Sequence, residues 1–204
     1  MLDRISEKAK KFRRTISPVR EIMSYADPEY IKNLGLDPND LISFAGGWVN
    51  HAAPIELKEA YIEISSDDYN FHMSGGYPPT LGDLEFRKAV IEFEKHIYGM
   101  RDLSIAQIAV GLGSTQLTMD LFEVLLNPGE KLLLLDPSYC NFPSQVITGI
   151  REVEILRFPV LDEDTWEYKA NSRAGAFYDF IIQNRPKVIL LISPDNPTSK
   201  VLSD

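Results

Sequence analysis

Asn127-Pro128-Gly129-Glu130-Lys131-Leu132-Leu133-Leu134-Leu135-Asp136-Pro137-Ser138-Tyr139 is a turn, an uninterrupted apolar run and a second turn. A run of this length that does not alternate with polar residues reads as a strand buried on both faces, the pattern of a sheet covered by helices. A second such run, Val188 to Ile192, lies downstream. Between and around them the apolar spacing is helical. Ser114 to Leu126 carries Leu117, Leu121, Val124 and Leu125 on one face, and Asn141 to Ile150 and Ala174 to Gln183 read as helices. Ile105 to Val110 and Glu152 to Phe158 read as further strands. Strand and helix in alternation predict an α/β fold with a mainly parallel sheet and helices on both faces.

The region before Asp83 is less regular. Ser17-Pro18 opens a short helix over Val19 to Tyr25, with proline in its first turn. Leu41 to Ala45 is a short apolar stretch ending at Gly46-Gly47, and Ile55 to Ile64 has helical spacing. Ser74 to Gly82 is turn-rich, and Leu84 to Ile97 is an amphipathic helix. This reading divides the chain into an N-terminal arm, residues 1–45, and the first part of a large domain, residues 46–204.

Of the 204 residues, 44% are hydrophobic and 25% charged, values that support a core without disulfides or metals as staples. The net charge of −9 is spread along the chain and argues against nucleic acid, which needs a cationic footprint. The one basic cluster, Lys8, Lys10, Lys11, Arg13 and Arg14, reads as a solvated helix face. Cys140 stands alone, no signal-like apolar run opens the chain, and no stretch approaches the roughly 20 apolar residues that span a bilayer. The expectation is a cytoplasmic protein with no membrane partner. No metal-ligating cluster is expected.

Three segments that follow the expected strands carry candidate chemistry, at the sheet edge where open α/β folds bind ligands. Gly111-Leu112-Gly113-Ser114-Thr115 opens a helix, and a helix N-terminus with nearby hydroxyls suits a phosphate. Gly113 would allow close backbone approach; a glycine turn with a Ser or Thr cap is also common without any ligand. Tyr139 could lay its ring against a flat ligand, or simply pack over the strand end. Asn196 could donate a hydrogen bond to a ligand oxygen, or belong to an ordinary Asn-Pro turn, and Pro197 admits a cis bond. His51 and His72 read as surface or packing residues.

Taken together, these segments resemble the fold-type-I pyridoxal-phosphate-dependent enzymes, specifically the class I and II aminotransferases. Tyr77-Pro78-Pro79-Thr80-Leu81-Gly82, followed by Phe86-Arg87, is similar to that family's tyrosine–proline–threonine–glycine signature. The Asn127-Pro128-Gly129-Glu130 turn and Asp136-Pro137-Ser138-Tyr139 are as characteristic, and the likeness covers nearly all of residues 15 to 200. It implies that Gly113, Ser114 and Thr115 hold the phosphate of pyridoxal 5'-phosphate, that Tyr139 stacks on its ring and that Asn196 bonds its phenolic oxygen. Tyr77 would reach across a homodimer interface to the partner's cofactor. Gly47, in Leu41 to Gly47, would lie near the substrate carboxylate.

Ser17-Pro18-Val19-Arg20-Glu21-Ile22 with Phe44 to Gly47 looks most like the branch of 2-aminoadipate and aromatic or kynurenine aminotransferases, which makes Arg20 a candidate carboxylate contact or a surface residue. Ser199 stands where the family usually has glycine, and Trp48 to His51 precede Pro54 where the branch has an earlier proline.

The implied reaction is transfer of an amino group between an amino acid and a 2-oxo acid. It needs a lysine that forms a Schiff base with the cofactor and an acidic partner for the pyridine nitrogen. In the family both lie downstream of the position matched by Asn196, and Lys200 is wrongly placed to serve. The expectation is therefore an incomplete large domain with no catalytic residue of its own, inactive and poorly soluble alone, with an uncovered edge at Val188 to Ile192. The competing readings are a non-catalytic cofactor-binding or regulatory half-domain, or a pseudogene fragment. A generic nucleotide-binding protein lacks support, since neither G-x-G-x-x-G nor a Walker loop occurs.

Overall fold

The computed structural model describes residues 5–12, 18–42, 44, 51–149, 152–169 and 171–202. The chain forms two compact units, one of Met1–Gly46 with Gly113–Asp204 and one of Gly47–Leu112.

The first unit is built on strand β1, Lys131–Asp136. It pairs in parallel with β2, Glu154–Pro159, on one side and β3, Val188–Leu190, on the other, giving the order β2-β1-β3. Leu133 sits opposite Leu156 and Ile189 in the two ladders. Side chains alternate across a strand, so successive leucines of β1 enter two different layers. Leu132 and Leu134 pack with Phe122 and Leu126 from helix α7 (Gly113–Leu125) and its end, and with Phe142 and Val146 of α8, Asn141–Gly149. Leu133 and Leu135 join Leu156, Phe158 and Val160, covered by Phe177, Phe180 and Ile181 of α9, Ala174–Asn184. The rings of Phe177 and Phe180 lie 5.0 and 5.5 Å from that of Phe158. Helices therefore cover both faces of a parallel sheet, as the continuous leucine run requires.

Short connections fix this arrangement. Between α7 and β1 the Asn127 N–H donates to the Glu130 carboxylate at 2.7 Å and the Glu130 N–H returns to the Asn127 carbonyl at 3.1 Å. Between β2 and α9, Leu161 bridges Tyr168 antiparallel, and Asp162 holds the intervening loop. Its carboxylate accepts from Lys169 Nζ at 2.6 Å and from the N–H and hydroxyl of Thr165 at 2.8 and 2.9 Å. These bonds, Lys169 foremost, hold the carboxyl well below the usual carboxylate range.

The N-terminal arm of this unit holds α1 (Glu7–Phe12), α2 (Pro18–Ser24) and α3 (Pro28–Asn33). Lys10 pairs with Glu7 on α1; of the rest of the basic cluster, the side chains of Lys8 and Lys11 and the whole of Arg13 and Arg14 lie outside the described residues. Helix α3, too short to show an apolar period, is capped by Asp27, which accepts from the N–H groups of Glu29 and Tyr30.

The second unit contains α4 (Ile55–Ser66), α5 (Asp68–Ser74) and α6 (Leu84–Tyr98). Asp67 caps α5, another helix the apolar spacing did not reveal, and Asp83 caps α6. Arg87 of α6 is buried and donates from Nε to the Ile108 carbonyl at 2.8 Å and from Nη2 to the Ile105 carbonyl.

That contact corrects the expected strand at Ile105 to Val110. The segment is a 3-10 turn, Ile105–Gln107, with a Ser104–Gln107 capping box, followed by extended chain. A strand needs a ladder. Here two carbonyls turn toward the guanidinium instead, and the Val110 N–H donates to the Leu81 carbonyl at 3.0 Å. Gly82, at φ +96°, lies so close to Val110 that a Cβ would meet its side chain at 2.5 Å.

A second difference concerns β3, which ends at Leu190 rather than Ile192. Ile189 is 38% and Leu191 51% exposed. An apolar run is buried on both faces only when neighbours flank it, and among the described residues β3 has β1 on one side and no strand on the other.

Two outcomes follow from this packing. Leu133→Ala removes a side chain with 0% exposure and is expected to lower unfolding stability by about 2–4 kcal/mol in urea melts, against less than about 1 kcal/mol for Ile189→Ala. Because the folded pKa of Asp162 is depressed, its contribution is whole above the ordinary value of 3.8 and is lost as pH falls below that through the lower folded value. The Thr165 amide resonance should hold steady on acidification through the ordinary Asp range, and should shift at higher pH in Lys169→Met.

Candidate functional site

The three strands are parallel, so their C-terminal ends share one edge. From β1 the chain leaves that edge through Pro137, Ser138 and Tyr139, and from β3 through residues 191–199. Helix α7 runs back along β1, joined by the tight turn at residues 127–130 and packed on Leu132 and Leu134 through Phe122 and Leu126. A helix of thirteen residues is about 20 Å long, and so is a strand of six, so the α7 N-terminus returns to the same edge.

The α7 start has the form an anion site needs. Gly113 adopts φ +74°, a left-handed conformation that glycine enters without penalty. Among the described residues, no atom beyond its chain neighbours and its own helix lies within 4 Å of where its Cβ would be, so the backbone angle rather than crowding calls for glycine. Ser114 and Thr115 are exposed in the first turn, where helix geometry directs N–H groups and the positive dipole end outward. Thr118 donates its hydroxyl to the Ser114 carbonyl at 2.5 Å, tightening that turn.

Tyr139 is half-buried. Its ring meets Phe142 edge-on at 5.4 Å, and its hydroxyl accepts from Asn141 Nδ2 at 2.7 Å. It thus packs over the end of β1, as the plainer reading expected, and still reaches the surface at the shared edge. Beside it, Asp136 pairs with Arg157 at 2.9 Å across the β1–β2 ladder.

Asn196 is exposed in a turn closed by its own backbone. The Asp195 N–H donates to the Lys200 carbonyl at 2.8 Å, the Ser199 N–H to the Asp195 carbonyl at 2.7 Å, and the Leu202 N–H to Ser193 Oγ at 3.1 Å. The Asn196–Pro197 bond is cis. Ser199 has φ +56°, a left-handed backbone that glycine adopts freely and that serine holds here at some strain.

Tyr77 belongs to the second unit and is fully exposed. Arg20 lies on α2, its side chain outside the described residues, and Gly47 is outside them altogether, as are Ser203 and Asp204. His51 and His72 are exposed. Among the described residues no group of three or more His, Cys, Asp or Glu could hold a metal, and no helix is long and apolar enough to cross a membrane.

Sequence reasoning missed two groups. Asp195 is buried, and its carboxylate accepts from the Thr198 N–H at 3.2 Å and from the Thr198 hydroxyl. The Asp-x-x-Thr spacing is a legible turn signal. Tyr168 has a buried hydroxyl with no hydrogen-bond partner among the described residues; burial, and then the Asp195 charge, push its pKa up. No sequence pattern announces it.

The description "Aminotransferase class I and II" matches residues 39–204. The chain is 25% identical over 163 residues to an aspartate aminotransferase of Pyrococcus horikoshii, covering 80% of this chain and 38% of that protein. With an aspartate aminotransferase of Bacillus sp. (strain YM-2) it shares 25% over 189 residues, covering 92% and 44%. With human kynurenine–oxoglutarate transaminase 1 it shares 22% over 173 residues, covering 81% and 39%. Among solved structures, an aminotransferase from Eubacterium rectale superposes with a TM-score of 0.76 at 20% identity, over 98% of this chain and 48% of that one. An alanine aminotransferase from Pyrococcus furiosus gives 0.73 at 24%, over 97% and 46%. The chain spans less than half the length of each of these relatives. By the extent of the match, and with a fold of the same kind, this chain belongs to the class I and II aminotransferases, a pyridoxal-phosphate-dependent family.

Proposed function

We propose that the chain supplies the phosphate- and ring-binding part of a pyridoxal-phosphate-dependent aminotransferase, whose reaction moves an amino group between an amino acid and a 2-oxo acid. The observation that carries this reading is the convergence of the α7 N-terminus, Tyr139 and the Asn196 turn on one edge of a parallel sheet, in a member of that family.

The donor set suits the cofactor. The dipole and N–H groups at Gly113 to Thr115, with the hydroxyls of Ser114 and Thr115 beside them, would hold the phosphate dianion. Among the described residues, nothing crowds the position where a Gly113 Cβ would stand. Tyr139 offers a ring braced by Phe142 and Asn141, so little freedom is lost when a flat heterocycle packs on it. Asn196 presents an amide that can donate to an oxygen on that heterocycle. When bound, the cofactor supplies the electron sink for chemistry at the amino acid's α-carbon. The residues of this chain bind and orient it.

In the same reading Tyr77 contacts the cofactor of a second subunit in a homodimer, and Gly47 and Arg20 face the substrate. Residues 46–204 act as the first part of the large domain, with residues 1–45 as an arm, in a cytoplasmic enzyme. The relatives' names span aspartate, alanine and kynurenine, a range that leaves the donor at the level of amino acids as a class.

Binding tests this directly. Pyridoxamine 5'-phosphate keeps the ring and phosphate but has no aldehyde to react with surface lysines. In equilibrium dialysis it should bind saturably at one site per chain. Ser114→Ala should weaken binding about tenfold, the loss of one charge-assisted hydrogen bond, and Asn196→Ala by a factor of about three to ten. Binding that never saturates, or that ignores both substitutions, would sink the proposal.

A further inference from the structure

Among the described residues only Arg87 and Asp195 are buried and charged. The Arg87 charge is spread over two carbonyls, whereas Asp195, 7% exposed, has no cation within salt-bridge distance among the described residues. A carboxylate withdrawn from water without a counter-charge is unfavourable unless hydrogen bonds offset the loss. Its side-chain bonds go to a single residue, Thr198, through backbone N–H and hydroxyl together. Thr198 lies two positions past Asn196, so the carboxylate spans the base of the turn whose tip is Asn196-Pro197. The Asp195 backbone closes the same turn from the other side, through its bonds with Lys200 and Ser199. One residue thus makes four of the bonds that define the shape of the loop.

Resting on the cofactor reading above, we infer that Asp195 is a positioning residue for the site. Its buried carboxylate, bridging the N–H and hydroxyl of Thr198, fixes the Asn196 turn in its binding geometry before a ligand arrives. A preformed turn spares the ligand the entropy of ordering it, so loss of the bridge appears as weaker binding without loss of any ligand contact. The acceptor geometry performs this role, so a neutral side chain of the same shape should preserve most of it.

The test uses the free chain and two readouts, amide hydrogen exchange by NMR and affinity for pyridoxamine 5'-phosphate. In Asp195→Ala the Thr198 amide should exchange at least about tenfold faster while Leu133 in β1 stays protected, and affinity should fall about tenfold. Asp195→Asn keeps an acceptor oxygen and should recover most of both. Thr198→Val, which removes one of the two bridging donors at nearly constant volume, should fall between; if Asp195→Ala fails to fold, this variant and Asp195→Asn decide. Wild-type affinity in Asp195→Ala, or in both decisive variants where that one does not fold, overturns the positioning role alone. So does Asp195→Asn binding as weakly as Asp195→Ala with Thr198 still protected, since charge rather than turn geometry would then be at work. A wild-type chain that binds the probe at no saturable site overturns the cofactor reading, and the positioning role with it.

Discussion

Strand β1 is hydrogen-bonded along both edges and covered on both faces, and the rest of the first unit is arranged to satisfy it. Leu132, Leu133 and Leu134 have 0% exposure, each with about 2 kcal/mol of side-chain burial at stake. Because side chains alternate, one strand cannot bury four leucines against a single layer. Two layers are needed, and the chain supplies them as α7 with α8 on one face and α9 on the other. Both edges are paired with strands of the same direction, and parallel pairing requires a crossover between successive strands. The crossovers return the chain to the same end of the sheet every time.

The location of the candidate site is a consequence of that geometry. Parallel pairing gathers the strand ends, and a helix that must lie antiparallel to β1 brings its own N-terminus to the same place. The polar groups there are mostly backbone N–H groups and short side chains next to glycine or proline, as expected where the chain reverses and cannot complete a ladder. What the edge needs is rigidity in the turns, because a strand end fixes where a loop begins but not how it is shaped. The Ser193 to Leu202 turn meets this need by bonding to itself.

Elements whose evidence is local were legible in the sequence. The Lys131 to Leu135 run, the Ser114 to Leu126 helix and the Ala174 to Gln183 helix are specified by their own apolar spacing, and their limits agree with the structure to within a residue or so. Elements whose state depends on a distant partner were not. Ile105 to Val110 has the composition of a strand, yet the Ile105 and Ile108 carbonyls are claimed by Arg87 of α6, 18 and 21 residues upstream. Val188 to Ile192 reads as buried, but burial belongs to the sheet position and not to the run. The short helices α3 and α5 escaped because six or seven residues carry too little periodicity; only their capping aspartates mark them. For the site, Gly113, Tyr139 and Asn196 stand out by residue type after a strand or before a helix, whereas Asp195 is visible only through its spacing to Thr198.

That spacing also revises the meaning of the acidic composition. Asp27, Asp37, Asp67, Asp83, Asp162 and Asp195 all accept from a backbone N–H two or three residues ahead. At least these six of the 30 acidic residues thus close turns or start helices and do more than keep the surface hydrated. At exposed positions such as Asp27 or Asp83 this device retains water on the carboxylate's free side, and a neutral cap would serve almost as well. At Asp195 the same device is buried, and the desolvation it suffers must be met by the two donors of Thr198. Of these six aspartates, only Asp195 therefore depends on its turn being correctly formed as much as the turn depends on it. That mutual dependence makes the loop bearing Asn196 a stiff element, in contrast to a surface turn held by a solvated cap.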